Sequence, residues 1–248
     1  MRRFFVPDTT FLADATFDLS PELFKHMGNV LRLKVGDEIE LLDGCGTIAH
    51  CRLSSLSDKT GRVLVLATRK APYPRLTIEL IQGTAKGDKL DLVLQKGTEL
   101  GANRFILSTM ERSIGRLKED RLTAKLDRWK KITQEAARQC KQTHLPAVDT
   151  ASSLSEAIHK SQGQLKLMLW EEETQALPSV LPDRPPTSIC ILVGPEGGLT
   201  KKEADLAISA GFKSVRLGER ILRTETAGLA IMSIMQYLYG DLSIDVVE

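Results

Sequence analysis

From Leu76 onward the chain alternates between short apolar runs of strand length and longer stretches of helical periodicity, and this rhythm constrains the fold more than any other feature. "LTIELIQG" (76–83), "RFILS" (104–108), "LKLMLW" (165–170), "SICILV" (188–193) and "KSVRL" (213–217) read as strands. Between the first two, "DKLDLVLQKGTELG" sets Leu90, Val93, Leu94 and Leu100 on one helical face and stops at Gly101. A long helix then carries Leu122, Leu126, Trp129, Thr133, Ala136 and Cys140, spaced four, three, four, three, four. Ser153 with Glu156, and Thr200 with Glu203, have the spacing of capping boxes, and "AGLAIMSIMQYLYG" (227–240) closes the series as a helix apolar nearly all round. Apolar strands separated by helices imply an α/β fold with a mostly parallel sheet covered on both faces. Ligands of such sheets sit beyond the carboxyl ends of the strands.

The segment before this alternation reads differently. "RRFFV", "DEIELLD", "TIAHCRL" and "GRVLVLA" are strands with turn signals at Asp43-Gly44 and Lys59-Thr60-Gly61, interrupted by one helix with Ser20 as N-cap and Pro21 in its first turn. A small β-barrel with one helix fits. "RKAPYPRL", with Pro72 and Pro74, reads as a linker, which divides the chain into 1–71 and 72–248. "LLDGCGTIA" resembles a glycine-rich cofactor loop, but an alternating strand follows it, so it is read as a hairpin.

Two neighbouring strand ends carry the strongest functional signal. One apolar run stops at Gly194-Pro195-Glu196-Gly197-Gly198, and the next stops at Leu217-Gly218, leading into Arg220, Arg223, Thr224, Glu225 and Thr226. Neither turn is G-x-G-x-x-G, and neither has the G-K-[ST] of a phosphate loop, so a dinucleotide or triphosphate is not the natural ligand. Glycine lets peptide N–H and C=O groups approach a ligand closely, and Pro195 stiffens that approach. Such walls can read an adenine edge without charged side chains.

Composition narrows the remaining classes. The 248 residues suffice for two domains, no apolar stretch approaches the roughly 18 residues of a membrane span, and the start "MRRFFVPDTTFLADATF" is a poor secretory signal, so a cytoplasmic location is expected. Cys45, Cys51, Cys140 and Cys190 are scattered, which argues against a metal site or a disulfide framework. Arg112 to Lys141 holds ten Lys or Arg against four Asp or Glu, a local basic surface suited to nucleic acid or, more simply, a solvated helix face, whereas Glu171 to Glu173 form an acidic cluster.

Taken in order, "Lys86-Gly87-Asp88…Gln95-Lys96…Glu99-Leu100-Gly101", "Glu111-Arg112-Ser113", "Trp129…Ile132…Glu135-Ala136", "Gly194-Pro195-Glu196-Gly197-Gly198" and "Leu217-Gly218-Glu219-Arg220-Ile221-Leu222-Arg223-Thr224-Glu225-Thr226-Ala227" resemble the SPOUT methyltransferases. More narrowly, they resemble the bacterial enzymes that methylate N3 of one uridine in small-subunit (16S) ribosomal RNA. The resemblance spans nearly the whole chain, including "RRFF" and "His26…Val30-Leu31-Arg32…Gly36-Asp37". It implies a PUA-like N-terminal β-barrel for RNA and a C-terminal SPOUT domain with a trefoil knot, paired as a homodimer, with S-adenosyl-L-methionine as cofactor and neither metal nor membrane. For cofactor binding it implies Leu169, Leu192, Gly194, Pro195, Glu196, Gly197, Gly198, Leu217, Gly218, Ile221, Leu222 and Thr226. For RNA it implies Arg2, Arg3, His26, Arg32, Lys86, Arg116, Arg121, Arg128, Arg138 and Lys141, with His26 also readable as barrel packing. Where the family usually has an arginine this chain has Gln142, so Lys141 or Arg138 is left to supply that charge.

The chemistry so implied assigns roles to side chains. Methylating uracil N3 requires loss of its proton, and charge then spreads to O2 and O4, where Arg112 or Arg223 would stabilise it. Glu225 would accept the proton if partial burial raises its pKa; solvent is the alternative, and a structural Arg223–Glu225 pair is the bland reading. Cys140, on the apolar stripe, is read as packing rather than as a nucleophile. Two other functions stay open: another SPOUT methylation, on a ribose 2′-OH or a guanine, and a non-catalytic RNA-binding relative.

Overall fold

The computed structural model describes residues 1–57, 60–114, 122–173 and 175–243. The chain forms two compact units, Met1–Tyr73 with Ala137–Leu145, and Pro74–Ala136 with Pro146–Glu248.

The first unit is built on β1 (Arg2–Phe5), β2 (Thr16–Asp18), β3 (Glu38–Leu42), β4 (Thr47–Leu56) and β5 (Gly61–Lys70), in the order β1-β3-β4-β5-β2. Only β1–β3 is parallel; the other pairs are antiparallel. Alternate side chains turn inward, so Ile39, Leu41, Cys51, Leu53, Val63 and Val65 join Phe4, Phe24 and Met27 in one core. Helix α1 (Pro21–Lys25) starts as its sequence dictates: the Ser20 hydroxyl accepts the Leu23 N–H at 3.3 Å and proline opens the first turn. A π-helical turn, His26–Val30, follows. Asp43-Gly44 is a hairpin loop, with the Asp43 carboxylate accepting the N–H groups of Cys45 and Thr47 at 2.7 and 2.8 Å. The turn read at Lys59-Thr60-Gly61 includes Lys59, which lies outside the described residues.

The second unit carries a six-stranded, all-parallel sheet of β6 (Thr77–Gly83), β7 (Ala102–Ser108), β8 (Ala147–Ala151), β9 (Leu165–Leu169), β10 (Ser188–Val193) and β11 (Lys213–Val215), in the order β11-β9-β10-β6-β7-β8. One face packs on α2 (Lys89–Glu99), α3 (Leu122–Gln139) and α6 (Thr224–Tyr239) through Leu90, Val93, Leu94, Trp129, Ile231, Met232 and Met235. The other packs on α4 (Leu154–Lys160) and α5 (Lys201–Ser209) through Leu154, Ala157, Ile158, Ala204 and Ala207. β10 shows why its sequence has no polar alternation: Ile189, Ile191 and Val193 face the first layer, Cys190 and Leu192 the second. Strand β8 escaped the sequence reading because "AVDTA" is short and half polar.

The capping boxes differ. Thr200 and Glu203 exchange both bonds across the start of α5. At α4 the Ser153 hydroxyl accepts the Glu156 N–H, but the Glu156 carboxylate accepts from Ser152, one residue earlier, so only half the box forms there. Helix α6 begins at Thr224, three residues before its apolar face begins.

Candidate functional site

In the second unit the chain leaves the middle of the sheet in both directions, since β6 and β10 are neighbours while β7 and β9 lie on opposite sides of that pair. Beyond the carboxyl ends of β9, β10 and β11, against the first turn of α6, lies a cavity of about 490 Å³. Its floor is apolar, from Leu169, Val193 and Val215, and its sides are the two turns singled out in the sequence.

The first turn is shaped by close backbone approaches. A Cβ on Gly83 would lie 2.4 Å from the Pro195 nitrogen, so a glycine at the end of β6 is what lets the Gly194-Pro195 peptide lie against it. The Gly198 N–H closes the turn on the Pro195 carbonyl at 2.9 Å. Gly198 has φ +71°, and a Cβ there would meet a Glu171 carboxylate oxygen at 2.1 Å. Glu196 accepts the Lys86 N–H at 3.1 Å and the Lys89 ammonium at 3.0 Å through one oxygen. Burial pushes its carboxyl upward, but the Lys89 hydrogen bond and the backbone N–H groups outweigh burial and hold it below the usual carboxylate range.

The second turn and the start of α6 bring Leu217, Ile221, Leu222, Arg223 and Glu225 to the cavity. Arg223 is exposed at the N-cap of α6, while one Glu225 carboxylate oxygen is buried without a hydrogen-bond partner among the described residues. A buried, unpartnered acceptor beside a cavity is a place where a proton or a donor is wanted.

Of the residues expected to hold a cofactor, Leu169, Gly194, Pro195, Glu196, Gly198, Leu217, Ile221 and Leu222 line this cavity. Leu192 is wholly buried in the layer toward α4 and α5. Gly197 backs onto Arg112, Gly218 is a left-handed turn residue, and Thr226 is exposed on α6; none of these three is part of the wall. Arg112 lies outside as well: its guanidinium donates to the carbonyls of Gly197 and Leu199 at 3.1 and 3.5 Å, bracing the glycine turn from behind. Arg220 and Thr224, from the polar string that follows Leu217-Gly218, also line the cavity, as do Lys89, Trp170, Glu171 and Arg216, which were not anticipated. Trp170 and Glu171 follow directly on β9, so the carboxyl-end rule alone points to them. Lys89 carries no such signal, because only the packing of α2 brings it there.

The residues expected to touch RNA divide between the units. In the first, Arg2 donates to the Leu31 carbonyl at 2.8 Å, and Arg3 pairs with Glu40 at 2.6 Å while reaching the Lys141 carbonyl at 3.2 Å. Arg32 and Lys141 are exposed with left-handed backbones, Arg138 is exposed on the last turn of α3, and His26 is exposed with its ring edge-on to Phe4. The Gln142 side-chain oxygen is buried without a partner among the described residues. In the second unit Lys86 is exposed, and Arg128 bonds Asp91 on α2. Arg116 and Arg121 lie outside the described residues. Among the described residues no group of three or more His, Cys, Asp or Glu side chains is placed to hold a metal ion, and no helix is long and apolar enough to cross a membrane.

A parallel sheet whose carboxyl ends close on a peptide-walled cavity, preceded in the sequence by a β-rich unit, is here the plan of a methyltransferase that acts on RNA: the RNA methyltransferase domain family matches residues 72–236, and the RNA methyltransferase PUA domain matches 19–66. The chain is 34% identical to the ribosomal RNA small subunit methyltransferase E of Bacillus subtilis over 96% of each chain. The crystal structure of a ribosomal RNA small subunit methyltransferase E from Neisseria gonorrhoeae, bound to S-adenosyl methionine, is 35% identical and superposes with a TM-score of 0.88, covering 98% of this chain and 99% of that one. A methyltransferase from Legionella pneumophila in complex with the same cofactor gives a TM-score of 0.88 at 28% identity, covering 97% and 98%. The chain belongs to the family of ribosomal RNA small subunit methyltransferases E.

Proposed function

We propose that this protein uses S-adenosyl-L-methionine to methylate N3 of a uridine in small-subunit (16S) ribosomal RNA. One observation carries the reading: the cavity beyond β9, β10 and β11 has an apolar floor and two peptide turns for sides, with an arginine and a partly buried carboxylate, Arg223 and Glu225, on a single helical turn among the charged residues of its lining. Its 490 Å³ falls within the roughly 300–1,000 Å³ of small-molecule sites. The residues fit the cofactor: Leu169, Val193, Leu217 and Leu222 would enclose an adenosyl group, the Gly194–Gly198 and Leu217–Leu222 peptides would read its edges, and Glu171 and Glu225 on the lining offer carboxylates to its sulfonium and amino group.

When bound, the cofactor supplies an electrophilic methyl group. The protein's own residues do the rest. Glu225 accepts the uracil N3 proton, directly or through water. Arg223, exposed at the N-cap of α6, stabilises the charge that develops on the uracil oxygens, and the dipole of α6 adds to that field. Arg112 acts through the glycine turn it braces rather than on the base. Because attack comes from nitrogen, no covalent enzyme intermediate is required, which leaves Cys140 its packing role.

Residues 1–71 would supply the PUA-like RNA-binding domain, and 72–248 the methyltransferase domain with its chain threaded as a trefoil knot. Arg2, Arg3, Arg32, Arg138 and Lys141 in one unit, and Lys86 and Arg128 in the other, would contact phosphates, which position RNA without reading it. Ile234, Tyr237 and Leu238 on α6 are 37%, 62% and 44% exposed at i, i+3, i+4 spacing, an apolar stripe suited to a second copy of the chain in a homodimer. A cytoplasmic location follows from the ribosomal substrate. Mapping modified nucleosides in ribosomal RNA from a deletion strain tests the whole reading. One uridine N3-methyl should disappear, and a complete modification set would overturn it; loss of a ribose or guanine methyl instead would transfer the activity to that atom.

A further inference from the structure

The wall of the cavity is held in place by a side chain that never reaches it. Gln82, the sixth residue of β6, is fully buried. Its amide nitrogen lies 2.8 Å from the Thr224 hydroxyl oxygen, 3.4 Å from the Gly194 carbonyl and 3.2 Å from the Gly83 carbonyl. The Thr224 hydroxyl in turn lies 2.5 Å from the Gly194 carbonyl. That carbonyl can only accept, so the Thr224 proton points at it, and the Thr224 oxygen must then accept from Gln82. The chain Gln82 N–H to Thr224 O–H to Gly194 C=O therefore runs in one direction and fixes the amide, leaving the Gln82 oxygen buried and without a partner among the described residues.

A buried, unsatisfied acceptor is a cost that folding alone gives no reason to carry at this position, since an apolar side chain would fill the same space. What the arrangement secures is geometry. Gly194 begins one wall of the cavity, and Thr224, the first residue of α6, lies between Arg223 and Glu225 on the other. One amide on the central strand thus joins both walls.

We infer that Gln82 is a positioning residue of the methyltransferase site, acting through Thr224 to orient the Gly194 peptide and the Arg223–Glu225 turn. The inference rests on the cavity being the S-adenosylmethionine site. Thr224→Val keeps the shape and removes the hydroxyl; Gln82→Met keeps the length and removes the amide. Both should fold with a modest fall in melting temperature, the stability cost of the lost hydrogen bond, and should lose at least about tenfold in S-adenosylmethionine affinity by titration calorimetry, because the Gly194 peptide and the α6 turn are no longer tied together. Thr224→Ser, which restores the hydroxyl, should recover the parent affinity. The double variant should be no weaker than the worse single one, because each breaks the same chain. Parent-like affinity in Thr224→Val or Gln82→Met, or strictly additive losses, would overturn the inference. A parent protein that binds no S-adenosylmethionine would instead overturn the assignment of the cavity.

Discussion

At the scale of single residues, the site depends on where a side chain is missing. Gly198 combines φ +71° with the Glu171 carboxylate in the way of any added Cβ, so alanine there strains the backbone and pushes the Glu171 side chain out of its place in the cavity lining. Gly198→Ala should fold and weaken S-adenosylmethionine binding at least tenfold by calorimetry, whereas Gly211→Ala, equally left-handed at φ +89° but with nothing within 4 Å, should cost only stability. Arg223 tests the opposite kind of residue. It is exposed, and its backbone alone caps α6, so Arg223→Ala should leave cofactor affinity unchanged while kcat falls by about 10²–10³, the usual loss for one donor aimed at developing charge. Arg223 already lines the cavity, so loss of cofactor binding in that variant would make it a cofactor-binding residue and remove it from the chemistry.

At the scale of elements, the helix that follows the glycine turn is anchored by one buried carboxylate. Glu203 accepts the N–H and hydroxyl of Thr200 at 3.0 and 3.1 Å and also the Glu111 N–H at 2.9 Å, tying α5 to the segment that carries Arg112. Glu203→Ala should therefore cost about 1–3 kcal/mol in urea unfolding, above a lone cap, because two peptide donors lose their acceptor. The capping box was visible in the sequence; the bond to Glu111, ninety-two residues away, was not. The same contrast holds at α4, where the spacing of Ser153 and Glu156 is right, yet the carboxylate turns to Ser152 because its N–H and hydroxyl offer two donors to one oxygen.

At the scale of the whole molecule, two predictions follow from surfaces. If exposed Arg32, Lys86 and Lys141 contact phosphates, the logarithm of the RNA binding constant should fall linearly with the logarithm of salt concentration, and each Lys→Ala or Arg→Ala change should reduce that slope by about one. A flat response would exclude a phosphate track. The exposed stripe of α6 should sit in the dimer: Leu238→Glu, 44% exposed in the single chain, should convert dimers to monomers in sedimentation with little change in monomer stability. A parent protein that sediments as a monomer would sink that proposal.

By itself the sequence determined the layered parallel sheet, because β10 must be apolar on both faces and α3 on one, and those periods survive any detail of packing. It also determined that the two glycine turns end strands on the same edge of that sheet, since every strand is parallel and their carboxyl ends coincide. Only the tertiary structure decided which residues share the cavity. It brought Lys89 and Arg216 in, put Leu192 beneath and Arg112 behind, and joined Gln82 to Gly194 across 112 positions of chain. Periodicity is a local property that burial imposes on each element separately, whereas a site is made of contacts between elements, and those are set only when the strands have found their order.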